Sequence, residues 1–416
     1  MTRRALTDLP LAGAALLLSL FGIAMVYSAG QTDVPSLAAN AYKSQLVWLV
    51  LGMVGAYIVT RASVRLIEWL TWPAYILTIA LLALTLIIGS GAGTAASTKS
   101  WLTIGGLRLG QPSELAKVVV VLMLARVLAA RKEAPQSLIE LWKPGLVVAV
   151  PWLLIMLQPD LGTGIVFVGI FFAMLFWSGV PLPLLLLIAS PAVSLILAFN
   201  TSLWGAWFLA LLALVLWYRP FLAEGVTVML ANVVMGVVAP VLWERLAPYQ
   251  RHRLLVFLDP SIDPQASGWH VIQSQVAIGS GGWFGKGFTL GTQKRLAFLP
   301  EQHTDFIFAV VGEEQGFFGV TVALMLFLFL LLRVVRVAAR ANDTFSSLVA
   351  FGLGASWLVH VVVNVGMTLN LMPITGIPLP FFSYGGSFML ACWLAVGILL
   401  RISSEGRGGQ VGDVAI

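Results

Sequence analysis

Charged residues are scarce in this chain, since only 10% of its 416 residues are Asp, Glu, Lys or Arg. Hydrophobic residues make up 59% of the sequence, and a water-soluble domain cannot bury that much apolar surface. The apolar residues fall in long runs, which are typical of membrane-spanning helices. The composition therefore predicts an all-α, polytopic membrane protein.

Disulfides, familiar catalytic motifs and clustered positive charge are also missing. The one cysteine, Cys392, lies in an apolar run, so the chain has no disulfide framework. No CxxC, HExxH, GxSxG or GxxxxGK(S/T) motif occurs in a usable context, which excludes zinc proteases, serine hydrolases and P-loop ATPases. The formal charge of +6 is spread among the loops and forms no basic patch, which excludes a nucleic-acid partner.

Twelve apolar segments are of spanning or near-spanning length. They are residues 9–29, 44–60, 70–90, 112–130, 144–158, 161–178, 182–199, 203–218, 226–243, 304–333, 346–371 and 380–400. The first follows Arg3 and Arg4 without a convincing cleavage site, so we interpret it as a retained span rather than a signal peptide. With these arginines in the cytoplasm, most basic loop residues fall on the cytoplasmic side. Both termini are therefore predicted to be cytoplasmic, with a disordered tail at 403–416.

The stretch from Glu244 to His303 breaks this pattern. It contains ten charged residues, three of the four histidines and seven glycines. Lipid does not tolerate irregular polar backbone, so the stretch must lie in water or in a protein-lined cavity. The sidedness places it outside the cytoplasm. Because long loops are uncommon without a function, we predict that this loop carries the chemistry.

Charges at membrane depth mark a second region, since they are costly there. Glu114 and Lys117 lie three residues apart on one face of the fourth segment, and Asp160 interrupts the sequence between the fifth and sixth. Two interpretations remain open for the pair. It is either a structural ion pair between helices or part of a polar cavity in which Lys117 binds a phosphate of a charged headgroup.

The eleventh segment and the sequence after it contain polar residues and prolines. His360 and Asn364 share a helix face, for which hydrogen bonding between helices is the default expectation. The following MPITGIPLPFFSYGGS has three prolines and cannot form a continuous helix. It therefore predicts a broken, re-entrant hairpin at the outer surface.

Carboxylates with basic neighbours give the long loop its chemical character. Asp259 and Asp263 lie in DPSIDP, where each precedes a proline that disfavours helix. The basic residues around them in sequence are Arg251, Arg253, Lys286, Lys294 and Arg295. This mixture suits a carboxylate base acting on a phosphorylated substrate. Trp269, Ile272 and Val276 share one face of 269–278, which predicts a short helix in the membrane interface.

Four stretches of the chain resemble one known family. They are QPSELAK at 111–117, QPDLGTG at 158–164, DPQASGWHVIQSQVAIGSGG with FLPEQHTDFIFAVVGEE across 263–314, and MPITGIPLPFFSYGGS at 372–387. In this order they resemble the SEDS family (shape, elongation, division and sporulation), the polymerases of bacterial cell-wall glycan. KGFTLGTQ at 286–293 is more similar to the elongation branch, RodA, than to the division branch, FtsW.

The resemblance implies a SEDS-type helical bundle, formed by residues 1–416 as one domain with 244–303 as its catalytic loop. It also implies ten core spans, so segments 203–218 and 226–243 are expected to be an inserted pair. The implied activity is that of a peptidoglycan glycosyltransferase in the bacterial cytoplasmic membrane, with lipid II as substrate. A class B penicillin-binding protein and membrane lipid are the implied partners.

The same comparison implies the site residues. Asp263 matches the family's essential loop aspartate and is the expected catalytic base, whereas Asp259 is often Asn in relatives and is the weaker candidate. The expected substrate-binding residues are Glu114, Lys117, Asp160, Arg251, Ser274, Lys286, Gln293, His303, Thr304 and Ser383. The pyrophosphate leaving group needs cations, which are either basic side chains or a divalent metal such as Mg²⁺ or Mn²⁺.

One departure and two alternatives accompany this interpretation. Relatives commonly have Arg before the tryptophan of the second outer loop, where this chain has Lys99, Ser100 and Trp101. A precursor flippase or other transporter would also use charges in the membrane and broken helices. Against it, the sequence has no convincing internal repeat, and its polar residues concentrate outside the membrane. A non-catalytic scaffold would leave the chemistry of the loop unexplained.

Overall fold

The computed structural model describes residues 8–33, 37–91, 100–104, 107–246, 248–259, 267–296, 298 and 301–412. Its helices are α1 (Leu9–Ala29), α2 (Ala41–Arg61), α3 (Val64–Ile88), α4 (Pro112–Ala129), α5 (Trp142–Leu157), α6 (Leu161–Trp177), α7 (Leu182–Leu197), α8 (Thr201–Tyr218), α9 (Leu222–Arg245), α10 (Pro248–Leu258), α11 (Ser267–Ser280), α12 (Thr292–Arg295), α13 (Ile307–Ala339), α14 (Thr344–Thr368) and α15 (Gly386–Gly412). Short 3₁₀ turns cover Leu37–Asn40 and Ile139–Leu141. The strands β1 (Gly89–Ser90), β2 (Trp101–Ile104) and β3 (Leu107–Gly110) form a small antiparallel sheet, which the sequence did not predict.

Each of the twelve predicted segments contains a helix, which confirms the all-α polytopic fold. In the described ranges, nine helices are long and apolar enough to cross a membrane. Of the other three, α6 and α7 are shorter apolar helices, and α4 has 18 residues but carries Glu114, Lys117 and Arg126. The twelve helices therefore follow the order of the predicted segments, and nine of them qualify as membrane spans by length and composition.

The predicted ends differ from the observed ones for local reasons. Helix α3 begins at Val64 rather than 70, because the Ser63 side chain accepts a hydrogen bond from Leu66 N and caps the helix. Helix α15 continues to Gly412, so the predicted disorder is wrong for residues 403–412. The loop 244–303 is also less irregular than predicted, because α10, α11 and α12 lie within it.

Helix α14 lies at the centre of the bundle. It packs against α4, α6 and α13, while α15 packs mainly against α2. The most hydrophobic stretch of α14 is 72% buried within the protein, whereas that of α8 is only 6% buried. Polar groups on α14 are therefore shielded by protein, and those on α8 are not.

Helices α8 and α9 lie at the periphery. They pack against α7 and against each other, around a small core of Leu187, Leu211 and Val228 that is separate from the main one. Asn232 Nδ2 of α9 donates to Ser190 Oγ of α7 over 2.7 Å. Segments 203–218 and 226–243, which the sequence predicts to be an inserted pair, thus lie at the edge of the bundle around their own small core.

The two ends of the bundle differ in composition. At one end, here called the basic end, Asp8 before α1 pairs with Arg333 of α13, and Arg126 of α4 donates to Glu68 O of α3. At the other, here called the loop end, α10 to α12 meet the beginning of α13. Gln45 of α2 donates there to Ser383 O over 2.8 Å. At each end of the bundle, contacts between residues far apart in sequence hold the helices together.

Residues 369–385, here called the proline segment, join α14 to α15 without regular helix. Pro373, Pro378 and Pro380 prevent helix, as predicted. Ile377, Leu379, Phe381 and Phe382 are buried, so the segment turns back into the protein at the loop end. It forms part of the surroundings of the site described next.

Candidate functional site

A break in α13 organises the loop end. Gly316 has φ 62° and ψ −160°, so the helix is interrupted there and nearby backbone groups lose their helical partners. Residues 281–287, here called the glycine loop, supply new partners. The hydrogen bonds run from Lys286 N to Glu313 O (3.0 Å), Gly287 N to Glu314 O (3.0 Å), Phe317 N to Gly282 O (2.9 Å) and Phe318 N to Trp283 O (3.1 Å). The glycines thus dock the loop onto a broken helix.

Two buried carboxylates fasten the same junction. Glu313 accepts from Lys286 Nζ over 2.8 Å and from Gln293 N over 2.9 Å, and its side chain is fully buried. Glu314 pairs with Lys294 at 2.6 Å, and both of these side chains are fully buried. Burial lowers the pKa of Lys294, and the neighbouring Glu314 carboxylate opposes this effect. Lys286 and Gln293, both predicted to bind substrate, therefore also hold the loop to α13.

Gly285 tests the docking of the glycine loop. It has φ +76°, and a Cβ there would lie 2.1 Å from Glu314 O. We expect Gly285→Ala to lower the free energy of unfolding by about 2 kcal/mol or more, measured by thermal unfolding in detergent. Gly282 has φ +54° but open space where a Cβ would lie, so Gly282→Ala should lower the free energy of unfolding by less, through backbone strain alone. Gly279→Ala, at ordinary φ in open space, should leave the free energy of unfolding unchanged. A decrease there as large as that of Gly285→Ala would contradict the proposed docking.

A second buried charge cluster lies between α4, α14 and α15. Lys117 Nζ is 2.7 Å from Glu114 Oε2, and each side chain is only 5% exposed. The same ammonium is 2.8 Å from His360 Nε2 and 4.9 Å from the centre of the Phe388 ring. Lys117 therefore joins α4 to α14 as well as pairing within α4.

His360 connects this cluster to the proline segment. Its Nδ1 lies 2.9 Å from Pro378 O, which only accepts hydrogen bonds, so we assign the ring proton to Nδ1. Nε2 is then free to accept from Lys117. One turn away, Asn364 Nδ2 donates to Ile377 O over 2.7 Å and to Asp305 O over 2.9 Å. The predicted hydrogen bonding between helices is confirmed for His360, which contacts Lys117 of α4. Asn364 instead bonds the proline segment and the residues before α13.

Two further carboxylates lie at the loop end. Asp160 caps α6 by accepting from Thr163 N over 3.0 Å, and it accepts from Gln111 Nε2 over 3.1 Å. Asp305 precedes α13 and is partly accessible, although protein atoms surround it closely. This burial, reinforced by the charge of Glu301, raises the pKa of Asp305 to about 7.

Helices α10 and α11 position two more predicted residues. Arg251 Nη2 donates to Trp243 O and to Glu244 O, each over 3.0 Å, and so caps the end of α9. Ser274 is buried, and its hydroxyl donates to Thr368 O over 2.8 Å. The short helix predicted at 269–278 is confirmed as α11. Its buried face is that of Val271, Ser274 and Ala277, which packs on the protein, and the predicted face of Trp269, Ile272 and Val276 is the more exposed one.

The remaining predicted residues lie near the proline segment or in turns. The His303 ring is 5.5 Å from the Tyr384 ring, and its burial lowers the pKa of the imidazole. The Thr304 hydroxyl donates to Glu301 O over 3.1 Å, within one turn. Ser383 Oγ accepts from Leu379 N over 2.8 Å and is buried. These contacts maintain the local backbone.

Asp263 lies outside the described residues, between the end of α10 at Leu258 and the start of α11 at Ser267. The departure at Lys99 also lies outside them. No group of three or more His, Cys, Asp or Glu that could hold a metal ion occurs in the described part of the chain.

The structure adds three residues to the predicted site: Gln111, Asp305 and His360. Gln111 opens QPSELAK and Asp305 lies in HTDF, so both belong to stretches that the sequence already marked. His360 was assigned only a structural hydrogen bond. Its contact with Lys117 spans 243 positions of sequence, and no local pattern predicts that pairing.

Comparisons with known proteins agree over nearly the whole chain. The family model described as cell cycle protein, for FtsW, RodA and SpoVE, matches residues 9–210 and 206–408. The peptidoglycan glycosyltransferase RodA of Treponema pallidum is 35% identical over 94% of this chain and 96% of its own length. The peptidoglycan glycosyltransferase MrdB of Escherichia coli K12 is 34% identical over 94% and 91%. Stage V sporulation protein E of Bacillus subtilis is 34% identical over 98% and 99%.

Solved structures show the same architecture. A chain of a peptidoglycan synthase complex, described as coordinating polymerization and crosslinking, matches with a TM-score of 0.70 and 29% identity. That match covers 96% of this chain and 98% of the other. The rod shape determining protein RodA of Thermus thermophilus matches with a TM-score of 0.60 and 26% identity, over 95% and 96%.

Proposed function

This chain belongs to the SEDS family of FtsW, RodA and SpoVE, and on that premise we propose that it is a peptidoglycan glycosyltransferase that joins lipid II units into glycan strands. The observation that carries the proposal is the match of sequence and fold over nearly the full length to proteins named for this activity. The similarity of KGFTLGTQ to the elongation branch supports a function in cell elongation.

The chemistry of lipid II defines what the site must do. The 4-hydroxyl of the acceptor GlcNAc attacks the anomeric carbon of the donor, and the bond from that carbon to polyprenyl pyrophosphate breaks. An α-linked donor that gives a β-linked product requires a single inverting displacement. One base takes the hydroxyl proton, and positive charge stabilises the departing pyrophosphate.

Asp263 is the proposed base. Its support is the resemblance of DPQASGWH to the family's loop, together with the position of its segment between α10 and α11. Helix α11, which follows this segment, contacts the elements that contain the polar site, because Ser274 donates to Thr368 O at the end of α14 and α11 packs against α13.

Lys117 is the proposed cation for the pyrophosphate. Lys286 and Lys294 face fully buried carboxylates and fasten the glycine loop, and Arg251 caps α9, so these three have clear structural functions. Lys117 is also paired with a buried carboxylate, that of Glu114, but in addition it links the family motif QPSELAK, through His360, to the proline segment. A divalent metal such as Mg²⁺ or Mn²⁺ would add to this positive charge at the pyrophosphate.

The orientation and the partner belong to the same proposal. The basic end would face the cytoplasm, with both termini there, and the loop end would face outward, where the transpeptidase domain of a class B penicillin-binding protein works. The match to a synthase complex that combines polymerization with crosslinking supports such a partner.

Cysteine labelling tests the orientation. A cysteine replacing Ser267 at the start of α11 should react with an impermeant thiol reagent in intact cells. A cysteine replacing Lys132, exposed in the turn between α4 and α5, should react only after lysis. The native Cys392 should not react with the reagent, because it is only 2% exposed. The reverse labelling pattern would overturn an extracytoplasmic active site.

A detergent assay distinguishes a glycosyltransferase activity from a flippase activity. Purified protein in micelles is mixed with fluorescent lipid II, so that no two compartments exist between which lipid could move. A polymerase should produce a ladder of glycan products, and a flippase should leave the lipid unchanged. Unchanged lipid II from folded protein would remove the glycosyltransferase proposal.

A further inference from the structure

The basic end contains a cavity that the proposed function does not use. Its volume is about 160 Å³, enough for roughly five water molecules. It is lined by residues of three helical regions: Asp8, Arg333, Arg336, Arg340, Ser403 and Gly406. Three of these residues are arginines of α13, spaced by three and four positions, so their guanidinium groups lie on one side of the helix.

In the part of the chain that the structure describes, Arg333 is the only one of the three arginines with an acidic partner. Both carboxylate oxygens of Asp8 accept from Arg333 Nη2, at 2.7 and 2.8 Å. Within the described ranges, no carboxylate pairs with Arg336 or Arg340. Arg333 Nε is buried and has no hydrogen-bond partner in the part of the chain that the structure covers. Among the described residues, the cavity therefore carries positive charge that no carboxylate balances, together with an unsatisfied donor.

The carboxylates closest in sequence are already engaged elsewhere. Asp343 caps α14 by accepting from Ser346 N over 2.8 Å. Glu405 pairs with Arg401 and accepts from Val64 N over 3.3 Å. The carbonyl end of α13 offsets only part of the charge of the arginines. An anion from outside the chain would complete the balance.

An exposed apolar stripe leads along α13 to these arginines. Phe329, Leu332 and Val335 are 44%, 50% and 39% exposed. At four-residue spacing, Leu332 is followed by Arg336 and Arg340, so one helix face changes from apolar to cationic toward the basic end. That is the pattern of a phospholipid, whose acyl chains lie on the apolar part while its phosphate meets the guanidinium groups.

We propose that this cavity binds the phosphate of an anionic phospholipid headgroup. Arginines suit the ligand because their planar groups form paired, charge-assisted hydrogen bonds with phosphate oxygens. Ser403 adds a hydroxyl, for which the described residues provide no hydrogen-bond partner. A free phosphate would use the same cationic groups but would gain nothing from the apolar stripe.

Native mass spectrometry of the purified full chain tests the site. The probes are phosphatidylglycerol and phosphatidylcholine with identical acyl chains. The test variant is Arg336→Gln/Arg340→Gln, which spares the Asp8 pair. The control is Lys132→Gln/Arg219→Gln, which removes the same charge from exposed positions at the same end but outside the cavity. Inorganic phosphate serves as the free-anion competitor.

We expect phosphatidylglycerol to bind in preference to phosphatidylcholine and to bind about 30-fold more weakly to the cavity variant, with the control unchanged. Equal weakening in both variants would mean that overall charge alone attracts the lipid, which overturns the site. Equal binding of the two lipids would also overturn it. If inorganic phosphate displaced bound phosphatidylglycerol as effectively as short-chain phosphatidylglycerol does, the lipid would be rejected as the ligand.

Discussion

Asp263→Asn should lower the rate of glycan polymerisation by about 10²–10⁴-fold, because loss of a general base typically has an effect of that size. The amide keeps nearly the shape of the carboxylate but cannot take a proton at neutral pH. Binding of lipid II and of the transpeptidase partner should persist, since the substitution leaves the contacts of α10 and α11 in place. Single-turnover polymerisation with labelled lipid II is the measurement.

Asp259→Asn is the matched control for that variant. Asp259 lies directly after α10, where its backbone N donates to Leu255 O over 2.9 Å, four positions before Asp263. Its substitution is expected to reduce the rate only mildly. A folded Asp263→Asn protein with a near-normal rate, or equal losses in the two variants, would remove Asp263 as the base.

Lys117→Met should both destabilise the protein and abolish polymerisation. It leaves the Glu114 carboxylate buried without its ion partner and His360 Nε2 without its donor. Removing one member of a buried pair typically costs about 3–5 kcal/mol. Thermal unfolding in detergent and the rate of glycan synthesis are measured on the same preparation. The single variant alone does not separate a structural ion pair from a group that binds pyrophosphate.

The double variant Glu114→Gln/Lys117→Met makes that separation. Replacing both partners of a buried pair by neutral groups is often near neutral for stability. We expect its unfolding temperature to return toward that of the wild type while its activity stays absent, because the proposed cation for the pyrophosphate is missing. Recovery of activity together with stability would show that the pair is structural only.

Most of the fold followed from hydropathy, because lipid requires long apolar helices and permits little else. Twelve segments predicted twelve helices, and the prolines of 369–385 predicted the break between α14 and α15. Helix ends were less predictable. The cap at Ser63 and the continuation of α15 to Gly412 depend on single side chains and on packing, which hydropathy does not register.

The sequence marked the stretches of the candidate site but not their contacts. Glu114 and Lys117 were paired correctly from helical spacing. The contact of Lys117 with His360 and the docking of the glycine loop at Gly316 bring together residues that are far apart in sequence. The sequence predicted Lys286 as a substrate-binding residue but could not show its ion pair with the buried Glu313, which the structure reveals.

The stoichiometry of the reaction tests the central claim most directly. Purified chain without any transpeptidase is incubated with lipid II, and new glycosidic bonds and released polyprenyl pyrophosphate are counted in the same sample. Glycosidic bonds and free polyprenyl pyrophosphate should accumulate together, one pyrophosphate for each bond, and neither should accumulate with Asp263→Asn. Folded wild-type protein that produced no bonds, or bonds without release of polyprenyl pyrophosphate, would contradict the central claim.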